Sequence, residues 1–187
     1  VYDTISNSAV NSLFSTFPGY SPQFTKDNLA ATAYRTKSSD SWNFKYYSYD
    51  ERKRVIKMWN IISGNATFIT EYRYNSQDQI TIYSHTGPED TKTYRNTYDY
   101  AGRLSKVDYY IGVPDIIEPE YINIAEYSYN ENSQVNSQRF NNNSLENIFS
   151  YNNRNWVKDI RNTDNYFRSE NSYFKNGNVK TQNLSGD

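Results

Sequence analysis

The sequence specifies an all-β chain made of repeated β-hairpins, and three observations carry that expectation. A tyrosine followed by Asp or Asn, with an apolar residue five positions beyond that Asx, recurs along the chain. Aromatic residues alternate with period two on the approach to most of these tyrosines, which places both rings on one face of a strand. Finally, 36% of residues are apolar while 17% are aromatic, with 20 tyrosines. That balance suits a thin sheet joined through rings better than a thick aliphatic core, and it excludes a disordered chain, which would lack aromatics.

The copies run Tyr49-Asp50 with Val55, Tyr74-Asn75 with Ile80, Tyr98-Asp99 with Leu104, Tyr129-Asn130 with Val135, Tyr151-Asn152 with Val157, and a degenerate Tyr173-Phe174 with Val179. Their tyrosines stand 25, 24, 31, 22 and 22 residues apart, a period that marks an array of like units. The approaching strands carry Tyr47 with Tyr49, Tyr72 with Tyr74, Tyr127 with Tyr129, and Phe149 with Tyr151. Asn96 and Asn171 take the first aromatic's place in the other two copies.

The turn between the strands follows from its residue types. Asp50, Asn75, Asp99, Asn130 and Asn152 can hydrogen-bond the backbone two residues on, which opens a turn. Three positions later stand Lys53, Asp78, Gly102, Ser133, Asn155 and Gly177. Four of these are Gly, Asn or Asp, so the slot is expected to hold a left-handed residue; Lys53 and Ser133 fit it less well.

The stretch Tyr98-Asp99-Tyr100-Ala101-Gly102-Arg103-Leu104 resembles the Tyr-Asp-x-x-Gly-Arg-Leu signature of the YD-repeat, or rearrangement-hotspot (Rhs), family. The resemblance covers roughly Tyr47 to Leu184. Departures are Gly at only Gly102 and Gly177, and Gln79, Gln134, Trp156 and Asn178 in place of the arginine. The resemblance implies a continuous curved or spiralling antiparallel β-strip that forms part of a hollow shell, as in bacterial toxin-complex cocoons, Rhs effectors and teneurin adhesion proteins. It also implies a structural, enclosing or surface role.

Organisation along the chain is uneven. Residues 1–41 do not show the repeat clearly and are expected to be a degenerate repeat or a capping lead-in; Phe17-Pro18-Gly19-Tyr20-Ser21-Pro22 carries turn chemistry. Hairpins occupy 42–187. The run Val55 to Ile62 reads as a strand bounded by Ser63-Gly64-Asn65, and an insertion at about 111–121 with two prolines reads as a loop on one face. The asparagine-rich part from Asn130 to Asn183 keeps the tyrosine spacing and so reads as turns and strand edges, with Asn141-Asn142-Asn143 at a hairpin tip. The chain opens at Val1 and stops at Ser185-Gly186-Asp187 soon after a turn, which fits an internal fragment better than a processed protein.

Charge and composition narrow the functions. A net charge of -1 gives no field favouring nucleic acid or an anionic membrane, and no apolar run is long enough to span a bilayer. Without cysteine there is neither a disulfide nor thiolate chemistry. The single histidine, His85, precedes Gly87-Pro88 and is expected in a loop, with no partner set by spacing. Asp115, Glu118 and Glu120 lack the ordered spacing of a calcium loop and read as solvated. The basic cluster of Arg52, Lys53, Arg54 and Lys57 holds acids within it and reads as a solvated turn. The sequons at Asn65, Asn142 and Asn183 are what so asparagine-rich a chain yields by chance.

The aromatic ladder is the one binding candidate. Its structural reading is ring-on-ring packing from hairpin to hairpin. Its binding reading is a glycan platform using Trp42, Trp59 and Trp156. The expectation is a non-enzymatic, cofactor-free repeat segment of a secreted or cell-surface protein, with a carbohydrate-binding or adhesive module as the rival. Its partners would be neighbouring repeats of the same or a longer chain, further copies joined through open strand edges, and a glycan or enclosed protein cargo.

Overall fold

A computed structural model describes residues 22–62, 67–114, 120–142, 144–163 and 166–186. Among them are thirteen strands and no helix, and strand order follows chain order. The strands are β1 (Ala31–Tyr34), β2 (Asn43–Tyr49), β3 (Val55–Ile61), β4 (Thr67–Tyr74), β5 (Ile80–Thr86), β6 (Thr91–Tyr98) and β7 (Leu104–Ile111). They continue as β8 (Ile122–Tyr129), β9 (Val135–Phe140), β10 (Leu145–Tyr151), β11 (Val157–Asn162), β12 (Arg168–Tyr173) and β13 (Val179–Ser185). Every tyrosine of the repeat ends one strand and every apolar partner begins the next. The fold is therefore the expected antiparallel array of hairpins.

Five of the repeat hairpins, those turning after Tyr49, Tyr74, Tyr129, Tyr151 and Tyr173, carry a β-bulge just after the turn. Tyr49 pairs with Val55 but Ser48 pairs with Lys57, so Ile56 is an extra residue on the departing strand. The same step recurs as Tyr74 with Ile80 and Arg73 with Ile82, Tyr129 with Val135 and Ser128 with Ser137, Tyr151 with Val157 and Ser150 with Asp159, and Tyr173 with Val179 and Ser172 with Thr181. A bulge increases local twist and re-aims the side chains beyond it, and here it is built into the repeat.

The chain divides into two units, Val1–Tyr94 with Tyr110–Pro119, and Arg95–Tyr109 with Glu120–Asp187. The first unit has a core laid across its strands: Ala31 faces Tyr46, Tyr46 faces Trp59, and Trp59 faces Ile69. Ala31, Tyr46 and Trp59 are buried, with Ala33, Phe44, Ile61 and Ile69 packed against them. Phe44 and Tyr46 stack with ring centroids 6.0 Å apart. This row lies on the face opposite Tyr47, since it comes from the alternate residues of β2. In the second unit the buried residues are Asp108, Ala125, Asn162 and Ser169, mostly polar and small.

Segment 1–41 enters the array through β1, which pairs with β2. Ahead of it, Asp27 holds φ 62 two residues before Leu29, the same offset as Lys53 (φ 62) before Val55. The stretch Phe17 to Ser21, the boundary Ser63-Gly64-Asn65, and Asn143 of the Asn141 hairpin tip lie outside the described residues; Asn141 (φ 49) and Asn142 (φ 53) hold positive φ there.

Candidate functional site

The hairpin turns and the contacts that join each to the next are where chemistry concentrates. In five copies the Asx side chain accepts from the backbone N–H groups two and four residues on. Asp50 Oδ1 takes those of Arg52 and Arg54 at 2.9 Å each, and Asn130 Oδ1 takes those of Asn132 and Gln134 at 3.0 Å each. Asn75, Asp99 and Asn152 repeat the pattern. The main chain closes the same loop: Asp99 N–H donates to the Arg103 carbonyl at 2.8 Å, and Gly102 N–H returns to the Asp99 carbonyl at 2.9 Å. Phe174 has no such acceptor, yet its turn closes through the same two backbone bonds.

This geometry requires a left-handed residue before the last turn position, and all six slots have one. The φ values are 62 at Lys53, 64 at Asp78, 77 at Gly102, 61 at Ser133, 63 at Asn155 and 91 at Gly177. Lys53 and Ser133, the poorer matches by residue type, are held there by the closed hydrogen-bond ring.

Between repeats there is a two-part clasp. In the first part, the tyrosine hydroxyl donates to the carbonyl of the previous copy's apolar residue: Tyr74 to Val55, Tyr129 to Leu104 and Tyr151 to Val135, all at 2.7 Å. Tyr173 does the same to Val157 at 2.5 Å, and Tyr49 to Leu29 at 2.8 Å. Burial pushes the Tyr74, Tyr129 and Tyr151 phenols above their ordinary range. In the second part, the residue in the arginine position reaches forward. The Arg54 guanidinium lies 4.5 Å from the Tyr74 ring centroid and donates to the Asn75 carbonyl; Arg103 treats Tyr129 and Asn130 identically. Gln134 keeps the polar half alone, donating to the Asn155 carbonyl at 2.9 Å. Trp156 keeps the ring half, lying 5.2 Å from Tyr173 and against Gly177.

The expected ring-on-ring packing is present at some positions, and at others a ring meets a different group. Tyr72 and Tyr74 do approach along β4, at 6.5 Å, and Tyr83 stacks on Tyr94 at 4.7 Å. In the clasps at Tyr74, Tyr129 and Tyr173 a guanidinium or an indole lies against the ring. Cation–π contact suits a ring whose hydroxyl is already committed to a carbonyl.

The basic cluster opens on an exposed turn, Glu51 to Lys53, and three of its four cations are ion-paired. Arg54 is 21% exposed and pairs at 2.6 Å with both Asp50 and Asp78. Arg52 pairs with Asp78 at 2.9 Å, and Lys57 with Glu71 at 2.8 Å. Arg52, Arg54 and Lys57 thus face acids of their own hairpin or the next, while Lys53 is exposed.

Of the three tryptophans, Trp59 is 4% exposed and lies in the first unit's core, so it offers no face to a glycan. Trp42 is half-buried with the Arg35 guanidinium 4.6 Å above its ring. Trp156 is half-buried and lines a groove of about 570 Å³. His85 sits inside β5 rather than in a loop; its Nδ1 lies 3.0 Å from Thr70 Oγ1, and Tyr83 meets it edge-on at 5.6 Å. Asp115 and Glu118 lie outside the described residues, and Glu120 is exposed.

Two features escaped residue patterns. Asp108 is 1% exposed, paired with Arg95 at 2.8 Å and Lys106 at 3.1 Å, and takes a hydrogen bond from Asn123. Burial alone would raise its pKa, but these three donors together hold it below the ordinary carboxylate value. Only strand pairing brings Asn123 opposite Asp108, so no spacing announces the cluster. The second is the Leu29 acceptor. It was hidden because Gln23 and Phe24 stand where later copies have Tyr and Asx.

No protein-family model matches this chain, and no curated protein matches it. Solved structures similar to it include the TcdB2–TccC3–Cdc42 complex and the Photorhabdus luminescens Tc holotoxin pore, each at 13% identity and a TM-score of 0.60 over 77% of this chain. The TcdB2–TccC3 complex is similar at 13% identity and a TM-score of 0.60 over 76%. At such identity the likeness is one of fold. The chain spans 8% of the length of those chains.

Proposed function

We propose that this chain is a non-enzymatic structural segment of a rearrangement-hotspot-type protein, secreted or displayed at the cell surface, whose hairpins build an enclosing β-shell or a self-associating scaffold. The clasp carries this reading. A hydroxyl-to-carbonyl bond and a guanidinium-to-ring contact spent on joining one hairpin to the next are devices for extension, and they leave the recurring chemistry of the repeat engaged with its neighbour. Fold similarity to chains of a Tc holotoxin agrees with it. No helix among the described residues is long and apolar enough to cross a membrane.

Open strand edges then bind more strand, whether a further stretch of the same chain or another copy. Two measurements test this. The native polypeptide should be several times heavier than the 22.0 kDa of this stretch when sized by mass spectrometry on source material. In sedimentation velocity the isolated 187-residue chain should associate as concentration rises; a folded monomer at every concentration would remove the self-associating part.

A further inference from the structure

We infer that the groove beside Trp156 binds an acidic oligosaccharide, one bearing uronate or sulfate groups. Three observations within the second unit carry this. First, the groove is lined by Arg154, Lys158 and Lys175 and by no carboxylate. Elsewhere Arg52, Arg54, Arg95, Arg103, Arg139 and Arg168 each face an acid, yet none lies within ion-pair distance of these three among the described residues. Arg154 spends one N–H on the Lys175 carbonyl at 2.8 Å, which fixes its guanidinium at the groove wall.

Second, the groove contains a hydrogen-bond donor that the repeat normally uses up. Asn75 Nδ2 donates to Gln79 at 2.8 Å and Asn130 Nδ2 to Gln134 at 3.0 Å. Asn152 has Trp156 where those copies have Gln, so its Nδ2 loses that acceptor and makes no hydrogen bond among the described residues. An amide beside cations matches a sugar hydroxyl next to an anionic substituent.

Third, the size and ring content fit a saccharide rather than nucleic acid. About 570 Å³ falls within the usual range for small-ligand sites. Binding a single strand needs successive open ring faces along its path. Here the Trp156 ring is already flanked by Arg154 and Tyr173, leaving Phe174, 51% exposed, as the open aromatic surface. One ring face beside a charged wall suits a sugar's C–H face.

This site stands apart from the shell reading, which its failure would leave intact. The test is titration calorimetry of the full 187-residue chain with a heparin-derived hexasaccharide, with cellohexaose and an oligo-dT hexamer as comparison probes. Binding of the heparin fragment is expected, weakening with added salt, with no heat from cellohexaose. The Lys158→Glu, Lys175→Glu double variant should lose about tenfold or more in affinity, as two reversed charges at the site require. Both lysines are exposed and unpaired, so the variant should keep its far-ultraviolet circular dichroism. Absence of heat with the heparin fragment, equal affinity in the double variant, or tighter binding of oligo-dT would each overturn the proposal.

Discussion

Asp99 serves two neighbours with separate oxygens. Its Oδ1 accepts the N–H groups of Ala101 and Arg103, and its Oδ2 takes the Arg103 guanidinium at 2.7 Å. The Arg103 side chain and then the Arg103 and Ala101 backbone bonds lower its pKa, and desolvation opposes them only in part. Because the folded value lies below the unfolded value of about 3.9, the stabilisation is complete above that pH. It is lost as pH falls through the folded value. Asp99→Asn keeps the Oδ1 acceptor, as Asn75, Asn130 and Asn152 do, but drops the charge. The variant's urea midpoint should therefore depend less on pH than the parent's below about pH 4; equal dependence in both would show that Arg103 does not stabilise the carboxylate.

In the hairpins at Tyr49, Tyr74, Tyr129 and Tyr151, Asx, left-handed residue and bulge form one closed device, and the sequence displayed it unevenly. Asp50, Asn75 and Gly102 announce their roles by residue type, whereas Lys53 and Ser133 do so only by place in the repeat. The left-handed slot costs an L-residue roughly 1–2 kcal/mol, while Gly costs roughly 0.5–1 kcal/mol in unfolded-chain entropy. Lys53→Gly should accordingly stabilise by about 0.5 kcal/mol, and Gly102→Ala should destabilise by about 1 kcal/mol, both read by urea denaturation. Opposite signs would mean that the ring of hydrogen bonds, rather than backbone preference, governs the slot.

Clasps of this kind make stability a sum of neighbour terms. Tyr129→Phe removes the 2.7 Å bond to the Leu104 carbonyl while keeping the ring under Arg103. The loss should be about 1 kcal/mol, the worth of one part-buried hydrogen bond. Amide hydrogen exchange should rise in β7, β8 and β9 and stay unchanged in β2 to β4, as local opening predicts. Uniform acceleration along the chain would instead mean that the array unfolds as one cooperative body.

Local chemistry is what the amino-acid order could dictate unaided: period-two rings make strands, Asx with a left-handed residue makes the turn, and their recurrence makes an array. Those signals act over a few residues, so they are written in a few residues. Which side chains meet across the strands was settled by register. One bulge follows the Tyr49 turn and another register shift lies at Val107/Asp108 in the β7–β8 pair, and these accompany Trp59 opposite Tyr46 and Asn123 opposite Asp108. Arg54 over Tyr74 and Trp156 over Tyr173 join residues about 20 positions apart. Contacts at that separation depend on how one hairpin lies along the next, a property of the packed sheet that no spacing in the chain encodes.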